Sequence, residues 1–127
     1  MLYLTDTYRS TQVASSNPVG QVVLLYEGAI RHAMRHLAAL ERGDAEGAHN
    51  ASLRAQAIVS GLQEVLDFSA GPIADQLDLL YDFIISRLVD GNIAKKPQPT
   101  EQAVTLLRDL LEAWRSIAGS PAPAVLQ

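Results

Sequence analysis

Four stretches of apolar residues recur along this chain at steps of three and four, and glycine or proline closes off each one. Such steps hold one apolar stripe along one side of an α-helix, because 3.6 residues complete a turn. The first stripe is Val19, Val23, Tyr26, Ile30, Ala33, Leu37 and Leu40. Asn17-Pro18 opens it as an N-cap followed by a proline whose missing N–H costs nothing at the first helical position. Gly43 ends it and Asp44 is placed to cap the next helix. The second stripe, Ala48, Ala51, Ala55, Ile58, Leu62 and Val65, begins with alanines that let a neighbouring backbone come close. Ser69-Ala70-Gly71-Pro72 breaks the pattern. The third stripe is Ile73, Leu77, Leu80, Ile84 and Leu88, ending at Asp90-Gly91. Pro97-Gln98-Pro99 and a Thr100 N-cap introduce the fourth, Ala103, Leu107, Leu110, Trp114 and Ile117, which stops at Gly119.

Helices of this length joined by short links pack antiparallel, since a short link reverses the chain at each step. The pattern predicts an all-α fold, an antiparallel up-down four-helix bundle over residues 18–119. Residues 1–17 carry no helical period and read as a flexible N-terminal tail or cap; residues 120–127 read as a disordered C-terminal tail. With 48% hydrophobic and 19% charged residues, the bundle has enough apolar material for a packed core.

The formal net charge of −4 argues against a nucleic-acid partner, which needs clustered Lys and Arg. No cysteine is present, so disulfides and thiolate chemistry are excluded. The longest apolar run, Val22 to Tyr26, is far below the roughly 20 residues of a membrane helix, so no direct membrane insertion is expected. Met1 to Asn17 contains no apolar stretch of the signal-peptide kind, and the expected location is the cytoplasm (cytosol).

Chemistry is hard to find. His32 and His36 lie four apart, and Glu46-Gly47-Ala48-His49 has the Glu-x-x-His form of di-iron bundles. Those sites need two such motifs and further inward carboxylates, whereas these histidines fall off the core stripes and read as water-facing. Asp75, Asp78 and Asp82 occupy one flank of the third helix, and Arg31, Arg35 and Arg42 one flank of the first; both read as solvated faces. There is no phosphate loop or nucleophile elbow. The chain is read as no enzyme, with no catalytic residue, no metal ligand and no cofactor.

The informative residues are apolar ones off the stripes. Leu79 and Phe83 project outside the core arc of the third helix, and Leu53 and Ala57 do the same on the second. Apolar pairs on consecutive helices mark a binding surface. Gly28, close to Leu24 on the face of the first helix away from the stripe, admits a close approach by another chain segment, and Tyr8 is a candidate to fold back there.

These residues also carry a resemblance. Ser16-Asn17-Pro18 followed by Val23-Leu24-Leu25-Tyr26-Glu27-Gly28-Ala29 resembles the S-x-P and L-Y-x-G-A signature of the flagellar secretion chaperone family FliS. Leu53-Arg54-Ala55-Gln56-Ala57-Ile58-Val59 is similar to that family's second-helix segment. Leu80-Tyr81-Asp82-Phe83-Ile84, with Arg87-Leu88-Val89 and Asn92-Ile93, resembles its L-Y-D-Y-M…R-L…A-N-I block, and Ala113-Trp114-Arg115 its closing A-W-K. Tyr8 stands where members carry a tail tyrosine. The resemblance implies a cytoplasmic export chaperone that binds the disordered C-terminal region of flagellin, prevents premature polymerisation and aids delivery to the export gate protein FlhA. On that reading the off-stripe residues Leu53, Ala57, Leu79 and Phe83 are the expected flagellin contacts, with Tyr8, Leu24 and Gly28 expected in docking of the tail. The chain departs from the family at Pro97 and Pro99, and at Thr5, three before Tyr8. Another helical secretion adaptor or regulatory interaction module is the alternative reading.

Overall fold

A computed structural model describes residues 18–117 and 123–126. Four helices follow in order: α1 (Pro18–Glu41), α2 (Ala45–Glu64), α3 (Pro72–Ala94) and α4 (Pro97–Ser116), with a short 3-10 turn at Phe68–Ala70. Each helix packs on its sequence neighbours, and α4 returns to α1, which closes an up-down four-helix bundle.

The links explain the reversals. Gly43 ends α1 in the left-handed region (φ 74°), with Gly43 N–H donating to the Leu40 carbonyl and Asp44 N–H to that of Ala39. This pair of bonds is the Schellman arrangement, and only glycine enters it without strain. The Asp44 carboxylate then accepts from Gly47 N–H at 2.9 Å and caps α2. That bond, helped by Arg42, holds the Asp44 carboxyl below the usual carboxylate range.

The α3–α4 link differs from expectation. Asp90-Gly91 does not stop α3, which runs on to Ala94. Gly91 is instead a contact point: a Cβ there would sit 3.2 Å from the Thr100 backbone nitrogen, so the missing side chain lets α4 press against α3. Thr100 is not an N-cap but a buried residue in the first turn of α4. Pro97 and Pro99 fall in that first turn, where no backbone N–H is needed.

Most residues of the predicted stripes are buried or packed against the core, and the seam differs by a residue at a few places. In α1 the buried positions are Val19, Val22, Tyr26, Gly28, Ala29, His32, Ala33, His36 and Ala39, while Val23 and Ile30 are half-buried at the edge. In α3, Ala74 and Tyr81 are buried and Ile73 is half-exposed, although the stripe placed Ile73 inside. Alanine and tyrosine win because close helix contact rewards small side chains and a filled centre over maximal hydrophobicity.

The histidines need a correction. His32 and His36, expected in water, are buried at 1% and 0% exposure. His36 Nδ1–H donates to the Ala48 carbonyl at 2.8 Å, tying α1 to the start of α2. Burial, then the charges of Arg35, Arg31 and Arg54, depress the His32 imidazole to about 4. The C-terminal segment also departs from expectation at residues 123–126. Leu66 and Leu126 form an antiparallel bridge, Asp67 N–H donates to the Val125 carbonyl at 2.8 Å, and Val125 is buried.

At the centre, Trp114 Nε1–H donates to Tyr26 Oη at 3.1 Å, and Tyr26 and Tyr81 share a 2.5 Å hydroxyl bond. Three helices meet in this polar knot. Burial pushes both phenols up, so they stay protonated.

Tyr26→Phe removes the shared partner and strands two buried donors. It is expected to cost about 1–3 kcal/mol in urea denaturation, against about 1 kcal/mol for Tyr81→Phe, which leaves the tryptophan bond intact. Equal costs would contradict this arrangement. For His32 the folded pKa, about 4, lies below the ordinary 6.5. Unfolded chains therefore take up a proton that the folded chain refuses, and stability falls as pH drops from about 6.5 towards 4, by at most about 3 kcal/mol. His32→Gln should flatten that part of the stability–pH curve.

Candidate functional site

The antiparallel pairing of α2 and α3 sets what faces solvent. Ser52 Oγ donates to the Leu88 carbonyl at 3.4 Å, Gln63 Nε2 to Asp78 Oδ1 at 3.1 Å and to Asp82 Oδ1 at 2.7 Å, and Asn92 Nδ2 to His49 Nδ1 at 2.9 Å. These ties form a polar seam along the two helices. Of the acidic flank of α3, Asp78 and Asp82 accept from Gln63, and Asp75 and Asp82 remain exposed to solvent.

Apolar residues crown both sides of this seam. Leu53 is 46% exposed on α2, with Ala57 exposed one turn later; Leu79 is 69% and Phe83 49% exposed on α3. Both pairs have a spacing of four, so each makes a ridge on its own helix. The register of the ties puts Ala57 level with Phe83 and Leu53 level with Arg87. The Arg87 guanidinium covers part of the Phe83 ring, 5.8 Å from its centroid. The surface is two apolar ridges flanking a polar strip, rather than one continuous patch. Ile93, 76% exposed near the end of α3, extends the apolar surface. Periodicity gave no reason to single it out, because it lies beyond the glycine that looked like a helix stop.

On α1, Gly28 is buried and Leu24 half-buried. Tyr8 lies outside the described residues, as does Thr5.

A second concave surface lies on the other flank of α2, against α1. Its volume is about 390 Å³, and Arg35 and Arg42 from α1 and its link, with Asn50 and Arg54 from α2, surround it above the buried His32. Sequence reasoning grouped Arg35 with Arg42 but missed Arg54, because only the pairing of helices brings it across. A further cleft of about 450 Å³ between α1 and α4 carries both signs of charge over Ile30 and Leu111, and its Arg115 pairs with Glu27 at 2.8 Å.

Among the described residues no group of three or more His, Asp or Glu side chains gathers as metal ligands would. No helix among them is long and apolar enough to cross a membrane.

Comparison with known proteins gives a consistent result. The family described as "Flagellar protein FliS" matches residues 1–121. The chain is similar to the flagellar secretion chaperone FliS of Salmonella typhimurium, 34% identical over 108 residues that cover 84% of this chain and 80% of the relative. It is also similar to FliSB of Pseudomonas aeruginosa, 30% identical over 84% of this chain and 86% of that protein. FliS of Vibrio cholerae is 28% identical over 84% of this chain and 79% of its own length.

Proposed function

We propose that this chain, which belongs to the FliS family of flagellar secretion chaperones, holds the C-terminal segment of flagellin in the cytosol until export. The observation that carries this reading is the pair of exposed apolar ridges, Leu53 with Ala57 and Leu79 with Phe83, on adjacent helices of a bundle whose own core is complete without them.

The mechanism needs no catalysis. Outside the filament, an amphipathic client segment has no neighbours to cover its apolar face, and it aggregates or polymerises early. The ridges supply that cover in the helix-in-groove manner, while Gln63, Asp78 and Asp82 in the intervening strip offer partners to the client's polar groups. Coupled folding of this kind buries on the order of 1,000–3,000 Å² and gives up about 2–5 kcal/mol to ordering, which keeps the complex reversible. Release is part of the task, since the client passes on to the export gate protein FlhA. Tyr8, with Leu24 and Gly28, is assigned to docking of the N-terminal tail on α1.

Calorimetric titration of a flagellin C-terminal peptide is expected to show binding with a large negative heat-capacity change. Replacing Leu79 and Phe83 together with Asp should weaken that binding by about a hundredfold or more while leaving helical circular dichroism unchanged, because both side chains lie outside the core. Retained affinity in a folded double variant would sink the assignment of these ridges.

A further inference from the structure

We propose that the cleft between α1 and α2 is a second docking site, one that takes a short acidic peptide segment whose carboxylates pair with Arg35 and Arg54. The two arginines reach it from different helices, and among the described residues neither has a carboxylate partner. Arg42 adds a third guanidinium at the rim, held only by an exposed bridge to Asp44 at 3.1 Å. Among the described residues no Asp or Glu lines the cleft, although the chain as a whole carries 14 acidic residues against 10 Lys and Arg. Positive charge has been gathered here against the overall balance.

The shape favours a peptide. Arginine binds carboxylate through two parallel N–H bonds, so a pair of arginines on facing helices can grip side chains that branch from one strand of backbone. Ala38, Gly47 and Ala51 give the walls little bulk, which lets such a backbone descend. Asn50 adds both an N–H donor and a carbonyl acceptor suited to an amide. A volume of about 390 Å³ exceeds what one small anion fills.

Extended anionic partners fit less well. Nucleic acid or an acidic bilayer would bring the rest of this −4 chain within reach of its own charge, whereas a short segment meets only the local field inside about one Debye length. The cleft lies across α2 from the apolar ridges, so the inference stands on its own observations and does not need the client reading to hold.

The direct test uses the full-length protein and a fluorescent peptide of four glutamates flanked by Gly-Ser, followed by anisotropy, with a four-glutamine peptide as control. Saturable binding of the glutamate peptide is expected, falling as salt rises from about 50 to 200 mM, with the glutamine peptide silent. Arg35→Glu with Arg54→Glu should weaken binding by about tenfold or more at unchanged helicity, while Leu79→Asp with Phe83→Asp leaves it intact. Equal binding of the glutamine peptide or unchanged affinity in the charge-reversed variant would each overturn the proposal. Displacement of the peptide by inorganic phosphate at sub-millimolar concentration would overturn it too, by showing a site for free anions.

Discussion

A phenol hydroxyl enclosed by helices must keep a partner, and the placement of Tyr26 imposes that requirement on three helices at once. Its oxygen accepts from Trp114 on α4 and shares a proton with Tyr81 on α3. The ring centroids of the two tyrosines lie 6.3 Å apart at 53°, so the rings pack as well as bond. A helix that slid along its axis by one residue, about 1.5 Å, would break one of these bonds inside an apolar surrounding and leave its donor unpaired. Apolar contacts alone tolerate many registers of a helical bundle; this polar contact does not.

The pairing of α1 with α2 rests on a different physical basis. Ala29, Ala33, Ala48, Ala51 and Ala55 keep the two backbones close, and the His36 bond to the Ala48 carbonyl fixes their relative height. α2 packs against α1 on small side chains, while its Val59 and Leu62 fill the core. Leu53 and Ala57 remain outside, as do Leu79 and Phe83 on α3. The apolar core closes without these residues, and most of the exposed large apolar side chains lie on α2 and α3.

Much of this was legible in the amino-acid order. Four amphipathic stretches with glycine and proline at their ends located the helices, and the residues left off the stripes located the exposed ridges. What failed has physical causes. The stripes were drawn through the most hydrophobic residues, but close packing chose Ala29 over Ile30 and Ala74 over Ile73. His32 and His36 look polar as letters, yet both rings are buried, and His36 reaches the Ala48 carbonyl. Gly91 looked like punctuation and is a contact, because nothing in α3 itself reveals that Thr100 presses on it. The return of Val125 to Asp67 and the convergence of Arg54 on Arg35 depend on tertiary register, which no local pattern carries.

The three links are unequal. Only Lys95 and Lys96 separate α3 from α4, with Lys95 in the left-handed region at φ 55°, and only Arg42, Gly43 and Asp44 separate α1 from α2. Seven residues, Val65 to Gly71, join α2 to α3. The molecule is therefore two tightly turned helical hairpins joined by one longer link, and each hairpin carries one of the two apolar ridges. Anything that lies across both ridges becomes a clasp between the halves, so that occupancy and resistance to unfolding rise together and an empty scaffold is the softer one.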